Sequence, residues 1–304
     1  MSENTNKDLL KKIQKRAERS LKVQEVNLNS ELYNEAVNYL KKQKYIKFLK
    51  INKVLANSFI SDYPFGYVVK DHKNNIVGFM GTIFSKKIHN SKEYVYCNIH
   101  SWIVDKSYRI NSFLLLTPLI EKKITLTAFT PVRSLFGLLE KFGFKKININ
   151  YKVVCSFKLL FLKKNNKYTL EKNETTIRKK LNEDELRIYE NYYKLPYEKF
   201  IITNNADDTK NIFVIASKIK KKGIKILNFF YISNISEFKI SWHKFKSEIS
   251  KEFRVNFFCQ HFFNDSDNAL PNNIFLSRAK KKDIFVKNIL PDTKLDVLYS
   301  DLIE

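Results

Sequence analysis

The sequence predicts a mixed α/β protein, and three observations carry that prediction. Stretches with the two-residue alternation of a sheet face recur, as in Ile124, Leu126 and Ala128 against Thr125, Thr127 and Phe129. Stretches with helical spacing lie between them, as in Val132, Leu135, Leu139 and Phe142. The order strand, turn, strand, helix, strand is then met a second time, beyond a charged, turn-rich bridge at Lys163–Asn173. That echo predicts a degenerate internal duplication, with one domain over residues 1–162 and a second over 174–304.

In the first half, helical spacing predicts helices over about 7–21 and 30–43. A strand over Gly66–Asp71, a hairpin loop at His72–Asn75 and a returning strand over Ile76–Ser85 follow. A long strand covers Glu93–Asp105, and Arg109-Ile-Asn-Ser-Phe113 opens an apolar helix of about ten residues in which Pro118 removes one hydrogen bond. After the strand at Lys123–Phe129, Thr130 offers a helix N-cap, Pro131 a first helical position and Gly143 a C-terminal stop. Phe144–Phe157 closes the half as a strand. The second half reads as a helix at Glu183–Tyr193, strands at Ile212–Ile219 and Ile224–Ser233 around Lys220–Gly223, a helix near Glu237–Phe253 and a strand at Arg254–Phe263.

Composition excludes several classes. With 44% hydrophobic and 14% aromatic residues, the chain can bury enough apolar surface to order itself, which excludes wholesale disorder. The net charge of +24 invites a polyanion-binding reading. Only eight of the 55 basic residues are Arg, however, the residue suited to bidentate phosphate contacts. Heavy use of Lys, Asn, Ile, Phe and Tyr, all served by A/T-rich codons, accounts for the charge without a nucleic acid. Cys97, Cys155 and Cys259 are far apart and show no zinc spacing, which predicts reduced thiols, no metal site and a cytoplasmic location. Met1–Ser20 lacks the apolar run of a secretory signal, and no apolar stretch approaches a transmembrane span. The basic amphipathic segment at 7–21 is read as docking on its own domain, with a membrane surface as the alternative.

Three pieces of the first half carry a family resemblance: Gly66-Tyr-Val-Val-Lys-Asp71 with Ile76-Val-Gly-Phe-Met-Gly81, Trp102-Ile-Val-Asp-Lys-Ser-Tyr-Arg109, and Leu139-Glu-Lys-Phe-Gly-Phe144. In this order they resemble the GCN5-related N-acetyltransferase (GNAT) superfamily over residues 66–157. Within it the chain looks most like the tandem acyltransferase-like proteins of bacterial surface-polysaccharide gene clusters. The resemblance implies a GNAT-like fold in two tandem halves and acetyl-CoA or another acyl-CoA as co-substrate. It implies N- or O-acyl transfer to a small acceptor, such as a sugar precursor or nucleotide-linked sugar. The pantetheine arm would lie along the strand ending at Ile103 and Val104, and Arg109, Ile110, Asn111, Ser112 and Phe113 would form the phosphate turn.

The chain also departs from the family pattern. Ser112 and Leu114 stand where the family's turn has small residues, and Leu139 stands where a tyrosine often protonates the leaving thiolate. His100 is the candidate base, four residues before Val104 and on the same side by strand alternation, with Asn98 facing the same way to orient a water. Thr127 and Thr130 offer hydroxyls near the same strands, whereas Trp102, Trp242-His243 and Cys259-Gln-His261 read as packing. Two alternatives to an acyltransferase stand beside it: a non-catalytic binding module on the same fold, and a basic nucleic-acid-binding or RNA-modifying protein.

Overall fold

A computed structural model of the chain describes residues 21–43, 62–89, 92–155, 167–271, 277–289, 295 and 297–298. The helix expected over 7–21 lies outside these residues, apart from Leu21. Two compact units form, one from Met1–Lys146 with Ile284–Thr293 and Tyr299–Asp301, the other from Ile147–Asp283 with Lys294–Leu298 and Leu302–Glu304.

The first unit begins with an edge strand, β1 (Lys22–Val26), which the sequence pattern did not predict. Helix α1 (Glu31–Lys42) starts where Ser30 accepts a hydrogen bond from the Tyr33 N–H and ends on Lys41 and Lys42, charges suited to its C-terminus. Strands β2 (Gly66–Lys70), β3 (Ile76–His89) and β4 (Lys92–Val104) run antiparallel in succession. The β2–β3 loop closes on Asp71, whose carboxylate accepts from the N–H groups of Lys73 and Asn75, with Asn74 at a φ of 65°. Strand β5 (Thr125–Ala128) then lies parallel to β4. One face of this sheet, with Tyr67, Met80, Cys97, Ile99 and Leu126, packs on Leu114–Leu116, Leu119, Leu139 and Phe142; the other, with Val68 and Phe79, packs on Ala36, Tyr39 and Leu40 of α1.

The two helices after β4 differ from expectation. The segment from Lys106 to Leu116 is a 3-10 helix, and only Thr117–Ile120 (α2) is α-helical. Four consecutive positions, Phe113–Leu116, are buried, a pattern that one stripe of an α-helix cannot satisfy. Pro118 falls in the first turn of α2, where its missing N–H leaves no bond unmade. Helix α3 (Phe136–Lys141) follows a 3-10 turn at Arg133–Leu135 whose N-cap position is Val132, so the expected N-cap Thr130 and Pro131 lie before it. Gly143 does end it, at a φ of 80°.

The second unit holds β6 (Lys145–Cys155), β7 (Tyr168–Glu171), α4 (Glu174–Lys180), α5 (Glu183–Tyr193), β8 (Glu198–Asn204), β9 (Ile212–Lys221), β10 (Ile224–Ile232), α6 (Ile235–Phe253) and β11 (Phe257–Phe262). Asn182 and Glu185 form a capping box at α5. The β9–β10 turn places Lys222 and Gly223 at φ values of 49° and 83°, the left-handed pair that a two-residue hairpin turn requires. Phe238, Trp242, Phe245 and Ile249 of α6 pack on Phe229 and Phe258 of the sheet.

With β12 spanning Ser277–Lys287, the sheet order is β1-β2-β3-β4-β5-β12 in the first unit and β7-β8-β9-β10-β11-β6 in the second. In both, antiparallel strands lead to a parallel pair, β4–β5 or β10–β11, with a helical segment crossing between its members. The last strand of each unit comes from the other half of the sequence. Strand β12 (Ser277–Lys287) sets Phe285, Val286 and Lys287 antiparallel to Ala128, Thr127 and Leu126. Strand β6, expected to close the first half, pairs antiparallel with β11 from Phe257↔Cys155 to Phe262↔Asn150.

Phe285 is fully buried, with its ring 4.8 Å from that of Phe136. Phe285→Ala is expected to cost about 3–5 kcal/mol in chemical denaturation and to lower amide protection in β5. A loss below about 1 kcal/mol would mean that β12 contributes little to that core.

Candidate functional site

The site is built where β4 and β5 part. Their parallel pairing lasts for three residues, Tyr96↔Thr125, Cys97↔Leu126 and Asn98↔Thr127. Beyond Asn98, strand β4 continues to Val104 on β3 alone, so its β5-facing edge has no strand partner among the described residues. The Asn98 side chain sits at the parting. Its Nδ2 donates to the Thr127 carbonyl at 3.2 Å and lies 3.3 Å from the Thr127 hydroxyl. Asn98 is thus a buried tie between the strands, engaged on β5.

A bulge follows at once. Gly81 pairs with His100 and Phe79 with Ile103, which leaves two residues of β4 opposite Met80, and Ser101 takes a φ of 46°. The extra residue reverses the alternation. His100 lies on the α1 face with Phe79 and Ile103, whereas Trp102 and Val104 pack on the opposite core. His100 and Val104 therefore do not share a side, contrary to the alternation expected of an unbroken strand.

His100 is 4% exposed. Its Nδ1 lies 3.0 Å from the Ser101 hydroxyl, and its Nε2 has no hydrogen-bond partner. Burial lowers its pKa to about 4, so the ring is neutral at pH 7. It rests on bare backbone: a Cβ added at Gly81 would fall 2.4 Å from the His100 Cε1. The two glycines within Ile76-Val-Gly-Phe-Met-Gly81 were the available sequence signal, because glycine inside a strand marks a bulge or a close approach.

After Val104 the chain turns at Asp105. Asp105 occupies an N-cap position, yet its side chain caps nothing; its Oδ1 accepts from the Tyr39 hydroxyl of α1 at 3.0 Å. The 3-10 helix that follows carries no acidic residue in its first turn. Arg109 and Ile110 are exposed there, Asn111 and Ser112 are half-buried, and Phe113 is buried against Phe142. Leu114 and Leu139, at the positions that depart from the family pattern, both point into the core. The tie from Tyr39 to Asp105 had no sequence signal, since 66 residues separate its partners.

Backbone topology of this kind has known counterparts. A GCN5-related N-acetyltransferase from Anabaena variabilis superposes with a TM-score of 0.58 at 10% identity, over 88% of this chain and 72% of that one. One from Kribbella flavida gives 0.55 at 10% identity, over 88% and 70%. The chain has the GNAT fold. A conserved Enterococcus faecalis protein is similar to the same degree, with a TM-score of 0.55 at 13% identity over 88% and 71%. No family model and no curated protein matches the sequence.

Within the GNAT fold the two units differ at corresponding positions. Strand β10 also bulges, between Phe229 and Tyr231, and its parallel pairing with β11 ends at Phe229↔Gln260. The helix after it is capped from within, because Asn234 accepts from the Glu237 N–H at 3.0 Å. Glu237 adds a carboxylate to that first turn, held by Ser241 and Tyr168. An anion is therefore disfavoured at the start of α6, whereas the first turn of the corresponding 3-10 helix carries no acidic residue and the Asp105 carboxylate at its N-cap is engaged by Tyr39.

The Cys259-Gln-His261 stretch is a strand, as its pattern indicates. Burial raises the Cys259 thiol, and burial together with nearby Lys282 lowers His261 to about 4. Gln260 points to the other face and holds the Ala269 N–H and the Asp267 carbonyl. Among the described residues, no three His, Cys, Asp or Glu side chains come together as metal ligands, and no helix is long and apolar enough to cross a membrane.

The lowered histidine values fix a pH dependence. The unfolded chain binds protons on His100 and His261 from about pH 6.5 downward, and the folded chain only from about pH 4. Stability is therefore expected to fall as pH drops from about 6.5 to 4 and to be insensitive to these groups above that window. His100→Leu should make the slope of unfolding free energy against pH shallower by up to about one proton. An unchanged slope would show that the ring is not held neutral.

Proposed function

We propose that the chain is a cytoplasmic acyl-CoA-dependent acyltransferase that acts on a small polar acceptor such as a sugar precursor or a nucleotide-linked sugar. The observation that carries this reading is the parting of β4 and β5 immediately before a cation-bearing turn with an uncapped first turn. A pantetheine arm carries amides that need an extended backbone partner, and the open edge of Ile99–Val104 offers one. Ile103 and Val104 contribute backbone here, since their side chains pack on opposite cores. Arg109 and Ser112 then meet the phosphates with a cation and a hydroxyl, and Ile110, Asn111 and Phe113 set the path of the turn.

The acceptor nitrogen or oxygen attacks the thioester carbonyl, the C–S bond breaks, and the CoA thiolate leaves. His100 is the candidate proton acceptor through its unpartnered Nε2. Burial lowers its pKa, so it would act as a weak base there. Asn98 holds the strands in place. The reading of a binding module without transfer draws on one observation: Leu139, buried in the core, leaves no hydroxyl to protonate the thiolate.

The test is a thermal-shift titration with acetyl-CoA, followed by thiol release with amino-sugar acceptors. A rise of several degrees, abolished in Arg109→Glu, is expected. No shift at millimolar acetyl-CoA would contradict the cofactor assignment. A shift with no thiol release from any acceptor would favour the binding module.

A further inference from the structure

The second unit ends in a concentration of positive charge that the acyl-transfer reading does not use. The β9–β10 hairpin carries Lys218, Lys220, Lys221, Lys222 and Lys225 within eight residues. Among the described residues none of them has a carboxylate within ion-pair distance, whereas Lys172, Arg178 and Lys210 of the same unit each do. Lys220 and Lys225 stand directly opposite each other across the two strands. Like charges so placed weaken a hairpin unless an outside anion lies between them.

The platform is fixed. The Lys225 N–H donates to the Asn256 side chain at 3.1 Å, and the Asn256 N–H donates to the Lys225 carbonyl at 2.8 Å. This sets the hairpin beside the end of α6, where exposed Arg254 adds a further cation. Beside Lys221 in the pairing sits Ile224, which is 43% exposed.

We propose that this hairpin docks the protein on an anionic phospholipid surface. Lysine ammonium groups are compact, hydrated point charges that suit a diffuse headgroup layer, and an exposed isoleucine among them can enter the interface. A single-stranded nucleic acid would call for rings to stack its bases. Among the described Phe, Tyr and Trp side chains, Tyr193 alone is exposed, and Arg178 already covers it. The inference stands on the hairpin alone and does not depend on the acyltransferase reading.

The experiment is flotation of the full chain with vesicles of phosphatidylcholine alone or with about one-third phosphatidylglycerol, over a range of salt. Binding is expected only with phosphatidylglycerol, and it should fall as salt shortens the screening length. Lys220→Glu with Lys225→Glu should lower the bound fraction at least tenfold, as should the milder Lys220→Gln with Lys225→Gln. An equal reversal at exposed Lys41 and Lys42 of α1 should leave binding largely intact. Absence of phosphatidylglycerol-dependent flotation would overturn the proposal, as would equal loss in the α1 variant. Loss of duplex-DNA retention in the hairpin variants with vesicle binding unchanged would also overturn it, and would assign the hairpin to nucleic acid.

Discussion

Everything at the candidate site depends on two parallel strands that stop pairing after three residues. A buried strand edge without partners is costly, because each peptide group brings a donor and an acceptor that must be satisfied. Here the break is contained at its origin by Asn98, whose amide supplies the Thr127 carbonyl with a side-chain donor. The bulge at Ser101 then turns β4 away from its former phase. The open edge that results leaves the backbone of Ile99–Val104 without a strand partner on that side among the described residues.

Alternation from Cys97 and Ile99 sets His100 on the α1 side, and the bulge that follows moves Val104 to the opposite side. His100 is pressed onto Gly81, neutral and with one ring nitrogen unpaired. Burial makes it a weaker base than a free imidazole.

Much of the fold was legible in the sequence, for local reasons. Helices α1 and α5 were legible in their helical runs, and the hairpins in their His72–Asn75 and Lys220–Gly223 turns. What was not legible is non-local. Strand β12 carries Lys280, Lys281 and Lys282, which hide its alternation, and nothing in its pattern says that it completes the sheet of the first unit. The 3-10 helix was hidden because the apolar run Phe113–Leu116 satisfies any helix that is buried all round. The site itself was half legible. The strand and its Arg-led turn were marked by motif, whereas the bulge, the Asn98 tie and the Tyr39–Asp105 contact arise only from pairing.

The two units share one strand order, yet they treat the start of the crossing helix oppositely. Asn234 and Glu237 fill that position in the second unit, while in the first Asp105 is drawn aside by Tyr39. Among the described residues the second unit therefore caps the start of its crossing helix with its own side chains, and the first does not. Hydrogen–deuterium exchange with and without acetyl-CoA tests the proposed cofactor seat most directly. Protection should rise in Ile99–Val104 and in the turn through Phe113, and should leave Phe229–Ile232 of β10 unchanged. Protection appearing at β10, or absent from β4, would contradict it.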